Sequence, residues 1–269
     1  MWPQLIVVTL LAAIAQGVAG FGFTLLAVSF YLFILRSTDA VQLVILINFA
    51  ISVVLVARLW RAVPPRLWAL IAAGGLLGFP FGLWLFTRAN VEIIELAVAG
   101  VTISFAGAVL VQEIMGSGGS TRFADPEVEE RARDGVGRAG NRGRDVAFRS
   151  VSAVAVGVAA GAMTSSLGAP GPPVALYLTG LGLDKTTFRA LALSTFIVMQ
   201  AGSLLGQSLF VGIDAGVWGH ALVLVPVAML GAGAGHRLCH YVSERVFRRL
   251  VLVLLLVTGA YMLYQALSG

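Results

Sequence analysis

The sequence predicts an all-α integral membrane protein built from two repeats of about four helical segments each. Three observations carry this. Of the 269 residues, 58% are hydrophobic and only 12% charged, with a mean hydropathy of +0.92, which leaves little room for a soluble domain. Apolar runs long enough to cross a bilayer recur along the chain. One order of features, a broken apolar segment followed by three unbroken ones, occurs twice. The net charge of +5 comes from basic residues spread over the loops. That is the ordinary topology signal of a membrane protein and no sign of nucleic-acid binding. The single cysteine, Cys239, excludes an internal disulfide framework.

The first repeat is expected over 1–115. Residues 5–35 carry no charge but are interrupted at Gly17, Gly20 and Gly22. At 1.5 Å per residue, 5–19 makes about 22 Å of helix and 23–35 about 20 Å, each short for a hydrocarbon core of about 30 Å. Together they read either as one tilted span or as a re-entrant hairpin. The opening Met1-Trp-Pro-Gln4 lacks the basic start of a signal peptide, so this segment is expected to be retained. Apolar spans follow at 40–57, 67–87 and 93–112. Residues 116–146 then mix Arg, Asp, Glu and Gly with almost nothing apolar, the composition of a disordered polar linker. The second repeat, 147–269, opens with a broken region at 147–183 and continues with spans at 190–213, 215–235 and 250–267.

Matching landmarks tie the halves together. Gly22 pairs with Gly171, Trp68 with Trp218, Glu92 with Glu244, and Gly107-Ala108 with Gly259-Ala260. Gly78 and Gly82 match Gly231 and Gly235. Glycines four apart mean close helix packing, within one chain or between two, so a homodimer is among the expectations. If the second broken region turns back on its own side, 16 of the 18 Lys and Arg residues share one side. Only Arg36 and Arg88 lie on the other. The positive-inside rule then puts the linker in the cytoplasm and the protein in the cytoplasmic membrane, with the two halves inverted.

The stretch Gly161-Ala-Met-Thr-Ser-Ser-Leu-Gly-Ala-Pro-Gly-Pro-Pro173 and its weaker copy Gln16–Thr24 are the candidate functional sites. Gly and Pro free backbone groups that hydrocarbon does not tolerate unless they are buried or line a wet cavity. A helix that restarts there, near the midplane, points a partial positive charge and free N–H groups inward, which suits an anion. The expected substrate contacts are Gln16, Gly20, Gly22, Phe23, Thr24, Thr164, Ser165, Ser166, Gly168, Gly171, Val174 and Ala175. Against this, Ser and Thr in membrane helices often bond their own backbone, and Asn48, Gln200 and Gln207 read first as interhelical contacts. Phe21 and Phe23 fit either a gate or simple packing. Arg189 fits either a cytoplasmic attractor of anions or a topology-setting surface charge. No Lys or Arg is placed securely inside a span. His220 reads as interfacial. His236, His240 and Cys239 lack a further ligand, so no metal is expected, and no cofactor either. No acidic residue is placed at mid-membrane, unlike a proton relay.

The stretches Gly20-Phe-Gly-Phe-Thr24, Gly168-Ala-Pro-Gly-Pro-Pro173 and Asp184-Lys-Thr-Thr-Phe-Arg-Ala190 resemble the TauE/SafE family of sulfite exporters, also called the toluene-sulfonate uptake type. The resemblance covers almost the whole chain. It implies a carrier of small sulfur oxyanions, sulfite or organosulfonates, working mostly outward. Phe21 and Phe23 stand where many relatives are richer in Gly, and Pro172-Pro173 follow the second turn, departures that bear on pocket shape. Uptake and proton coupling stay open alternatives. An intramembrane enzyme would need paired buried Asp or a His-Glu-x-x-His run, and neither is present. An assembly factor would need no polar site at the breaks.

Overall fold

The computed structural model describes residues 2–115, 142–181 and 183–238. They form α1 (Trp2–Ala19), α2 (Phe23–Leu35), α3 (Asp39–Val56), α4 (Pro65–Arg88) and α5 (Val91–Met115) in the first half. The second half contributes α6 (Arg142–Leu167), α7 (Gly171–Gly180), α8 (Lys185–Phe210) and α9 (Ala215–Leu238). A single 3-10 turn, Trp60–Ala62, joins α3 to α4. The linker residues 116–141, the expected span 250–267 and the landmarks Cys239, His240, Glu244 and Gly259-Ala260 lie outside the described residues. Residues 142–146, expected as linker, form the start of α6.

Six of these helices are long and apolar enough to cross a membrane: α1, α3, α4, Ser150–Leu167 of α6, α8 and α9. Their side chains are sorted opposite to those of a water-soluble protein. Gln16, Asn48, Ser52, Gln200 and Gln207 are fully buried, while Leu209 is 77% and Leu222 80% exposed. Apolar side chains outward and amides inward is the arrangement that a lipid surround favours.

The first broken segment is a hairpin. The hydroxyls of Thr9 on α1 and Tyr31 on α2 lie 2.5 Å apart although 22 residues separate them. One continuous helix would hold those positions about 33 Å apart. The arms are unequal. α1 starts at Trp2, earlier than expected, and its 18 residues measure about 27 Å, whereas α2 has 13 residues and about 20 Å. The second hairpin repeats this, with 26 residues in α6 against 10 in α7.

Each long arm runs alongside a helix of the other half, in the same direction. Trp2 stacks on His220 near the start of α9, with ring centroids 4.7 Å apart, and Gly17 lies against Gly235 near its end. Gly157 of α6 lies against Gly74 of α4, and Ser165 against Gly82. The breaks therefore lie past the middle of these partners, about 26 Å along α4 in the second case.

The contacts are reciprocal. Gly231 and Gly235 of α9 abut the carbonyls of Leu10 and Ile14 in α1. Gly78 and Gly82 of α4 abut those of Val158 and Ala162 in α6. Leu10 precedes Val158, and Ile14 precedes Ala162, by the same number of residues. The glycine pairs are thus used within the chain, where the sequence also allowed a dimer contact. A Cβ at Gly78 would overlap the Val158 carbonyl, and a helix backbone cannot move aside as a side chain can. Gly78→Val should lower stability by about 3 kcal/mol or more, whereas Gly233→Ala, inside α9 and meeting nothing within 4 Å, should keep stability or raise it by up to about 1 kcal/mol. Melting temperatures in detergent check both.

Asp184 starts α8 as its N-cap, its carboxylate accepting from the Thr186 and Thr187 N–H groups at 3.1 and 3.0 Å. Hydrogen bonds to Thr187, hydroxyl and backbone, hold its carboxyl below the ordinary value of 3.8, with Thr186 adding to the effect. A depressed folded value gives stability that is complete above the ordinary value and lost as pH falls below it. Asp184→Ala should cost about 1 kcal/mol at neutral pH. Its melting temperature should converge on that of the wild type as the pH falls below about 4.

Candidate functional site

Both breaks are made by left-handed glycines. Gly20 has φ 84° and Gly168 φ 69°, a region that residues with a Cβ rarely occupy. Gly20 N–H donates to Gln16 C=O at 2.7 Å, and Gly168 N–H to Thr164 C=O at 2.9 Å. Each closes its helix with a single turn of left-handed cap. The structural match is therefore Gly20 with Gly168, one residue away from the Gly22–Gly171 pairing that the sequence suggested. Gly22, with φ 108°, is the N-cap of α2, a place that Pro170 takes in front of α7. Neither helix start has a side-chain cap. Phe23, Thr24, Gly171, Val174 and Ala175 are all buried there. Pro172 and Pro173 lack N–H groups of their own, so they add no unpaired donors to the first turn of α7.

The first break holds a side-chain network. Gln16 Nε2 donates to Asn48 Oδ1 at 2.6 Å, with Ser52 Oγ at 3.5 Å. Asn48 Nδ2 donates to Thr24 Oγ1 at 2.8 Å. α3 thus ties the end of α1 to the start of α2. All four residues are buried, and Gln16 Oε1 has no hydrogen-bond partner among the described residues.

The second break is built differently. Thr164 donates to Ala160 C=O at 2.6 Å and Ser166 to Ala162 C=O at 2.7 Å. Ser165 donates to Phe79 C=O of α4 and to Gly161 C=O, each at 3.0 Å. These hydroxyls bond backbone carbonyls, the alternative weighed for them above. Gln207 Nε2 donates to Ser165 C=O at 3.1 Å, which ties α8 to the end of α6. One face of α3 meets both breaks: Val41 and Ile45 pack beside Gly168, while Asn48 and Ser52 face the first. The successive spacings of four, three and four put these positions on one stripe.

Arg189 corrects two expectations. It is neither a surface charge nor outside a span, being 5% exposed within α8. Its stem packs on Gly20. Its guanidinium donates to Gly17 C=O at 2.8 Å and lies 3.2 Å from His236 Nδ1. A cation at the C-terminal carbonyls of α1 is held there by the helix dipole. The sequence placed Arg189 at a loop edge. The hairpin end folding onto the first turns of α8 is what covers it. Phe21, at the turn itself, packs on Phe105 and Phe188 with centroids 6.1 and 6.0 Å away, while Phe23 is fully buried.

Sequence reasoning ranked Asn48, Gln200 and Gln207 low and did not name Ser52 or Ser203. The signal was there: polar residues three or four apart on otherwise apolar helices, at 48 and 52 and at 200, 203 and 207.

Helices of membrane-crossing length, apolar outside and amide-lined inside, with two buried backbone breaks, define a multi-pass membrane protein of the transporter class. Residues 5–262 match the family model described as sulfite exporter TauE/SafE. The chain belongs to that family, whose members are membrane transporters and not enzymes. Comparison with curated proteins and with solved structures gave no match.

Replacing Asn48 by Leu leaves Gln16 and Thr24 each short of a buried partner. Asn48→Leu should lower stability by roughly 2–4 kcal/mol, and Asn48→Asp should be more damaging at neutral than at acid pH, since a fully buried carboxylate is an unpaired charge that no longer donates to Thr24. Thermal unfolding of the purified protein in detergent separates the two.

Proposed function

We propose that the chain carries small sulfur oxyanions, sulfite or organosulfonates, outward across the cytoplasmic membrane by alternating access. In this reading the anion is held between the two breaks. The uncapped starts of α2 and α7 supply N–H groups and dipole, and Gln16, Thr24, Asn48 and Arg189 line the first side. The observation that carries the proposal is the pair of buried left-handed glycine breaks, Gly20 and Gly168, in a chain of the sulfite exporter family. The reciprocal packing of α1 on α9 and α6 on α4 supports two halves related by inversion, the plan on which rocking transporters are built. The loop charges support a cytoplasmic linker.

Outward passage of a singly charged anion is favoured by an inside-negative potential, by about 2.3 kcal/mol per 100 mV. No coupling ion is then required. In proteoliposomes with an imposed potential and no pH gradient, sulfite flux should follow the sign of the potential. Flux indifferent to potential but dependent on a pH gradient would replace this mechanism with proton coupling.

A further inference from the structure

Gln200 is the polar side chain whose state the packing leaves unexplained. It is fully buried in α8, yet neither its Nε2 nor its Oε1 has a hydrogen-bond partner among the described residues. Ser203 Oγ, one turn on, is also without one, and so is Gln207 Oε1. Residues 200, 203 and 207 share a face of α8. It is the face from which Gln207 reaches the Ser165 carbonyl at the second break. An unpaired buried amide is selected against unless something fills its hydrogen bonds part of the time.

The first half shows what Gln200 lacks. The interval that carries Gly20 onto Gly168 also carries Gln16 onto Thr164 and Ser52 onto Gln200. Ser52 lies 3.5 Å from Gln16 Nε2, inside a network that Asn48 completes. The matching position to Asn48 is Phe196, which is apolar, and Thr164 spends its hydroxyl on Ala160 C=O. The second half therefore carries its long amide on α8, where the first half has Ser52, and leaves it without a protein partner among the described residues.

We propose that Gln200, with Ser203, contacts the transported oxyanion, so that the second break binds through side chains of α8 and the first through those of α1 and α3. This rests on the transport reading above. A free amide N–H₂ and a free hydroxyl supply three donors without a formal charge. They can match the oxygens of a sulfite or sulfonate group and let the anion leave again. Arg189, a cation already tied to Gly17 C=O, sits at the other break.

The test uses the full-length protein, with sulfite and methanesulfonate as probes. The variants are Gln200→Met, which keeps length and loses polarity, and Thr102→Val. Thr102 is another buried, unpartnered hydroxyl, on α5 and outside the proposed site. For Gln200→Met the KM for sulfite should rise tenfold or more, and the rise in melting temperature caused by sulfite should disappear. The unliganded melting temperature should hold or increase, since an orphan amide has been replaced by an apolar group. Thr102→Val should transport as wild type. An unchanged KM in Gln200→Met overturns the assignment alone. So does a fall in its unliganded melting temperature with the sulfite shift intact, which makes Gln200 structural. Wild-type protein that carries neither probe overturns the functional reading, and this assignment with it.

Discussion

Close backbone contact between helices of opposite halves is the constraint on which the rest of this structure depends. In lipid, apolar side chains gain little by leaving their surroundings for one another, so helices associate through packing and polar contacts. Here α4 meets α6 through Gly74, Gly78 and Gly82, and α1 meets α9 through Gly17, Gly231 and Gly235, each glycine lying against a carbonyl or Cα of the facing helix. These two crossings place the long arm of each hairpin. Once the arm is placed, so is the break at its end. A larger residue at any of these positions would shift a break and every group around it.

The breaks show two solutions to one problem. A chain that turns inside a membrane protein must satisfy the backbone groups it frees. At each break a left-handed glycine returns its N–H to the last turn of the helix it ends. The first break then adds an amide network across α1, α2 and α3, with Arg189 on the buried carbonyl of Gly17 near the end of α1. At the second, hydroxyls bond carbonyls of their own helix, and the amides of α8 stand nearby with free atoms. The first half is the more completely bonded, and the second keeps more unspent hydrogen-bonding capacity. A site assembled from both would meet an anion with one firm side and one adaptable side, which suits binding that must be reversed from each face of the membrane.

Much of this was legible from residue order. Composition fixed the class, and the positions of glycine and proline located both breaks. The repeated glycine pairs indicated close packing, though not whether it fell within one chain or between two. Arg189 shows why some of the site was not legible. Next to Asp184-Lys185 it reads as part of a charged loop edge, and its burial comes from a segment more than 150 residues earlier folding over it. Gln200 looked like an ordinary interhelical contact, and Ser203 drew no notice, because sequence shows that a polar group is present but not whether a partner faces it.

The sequence by itself determined that this is a helical membrane protein with two interrupted helices, because hydropathy, helix period and the conformational needs of Gly and Pro are local properties. It also placed the chain within reach of its family through short glycine-rich motifs. Only the tertiary structure decided that the first break is a hairpin, how far each arm reaches, and which glycine matches which. It also decided which amides are paired and which are free. Those facts depend on contacts between the halves, and a contact between Gly20 and Arg189, or between Gln207 and Ser165, has no trace in the residues that lie between them.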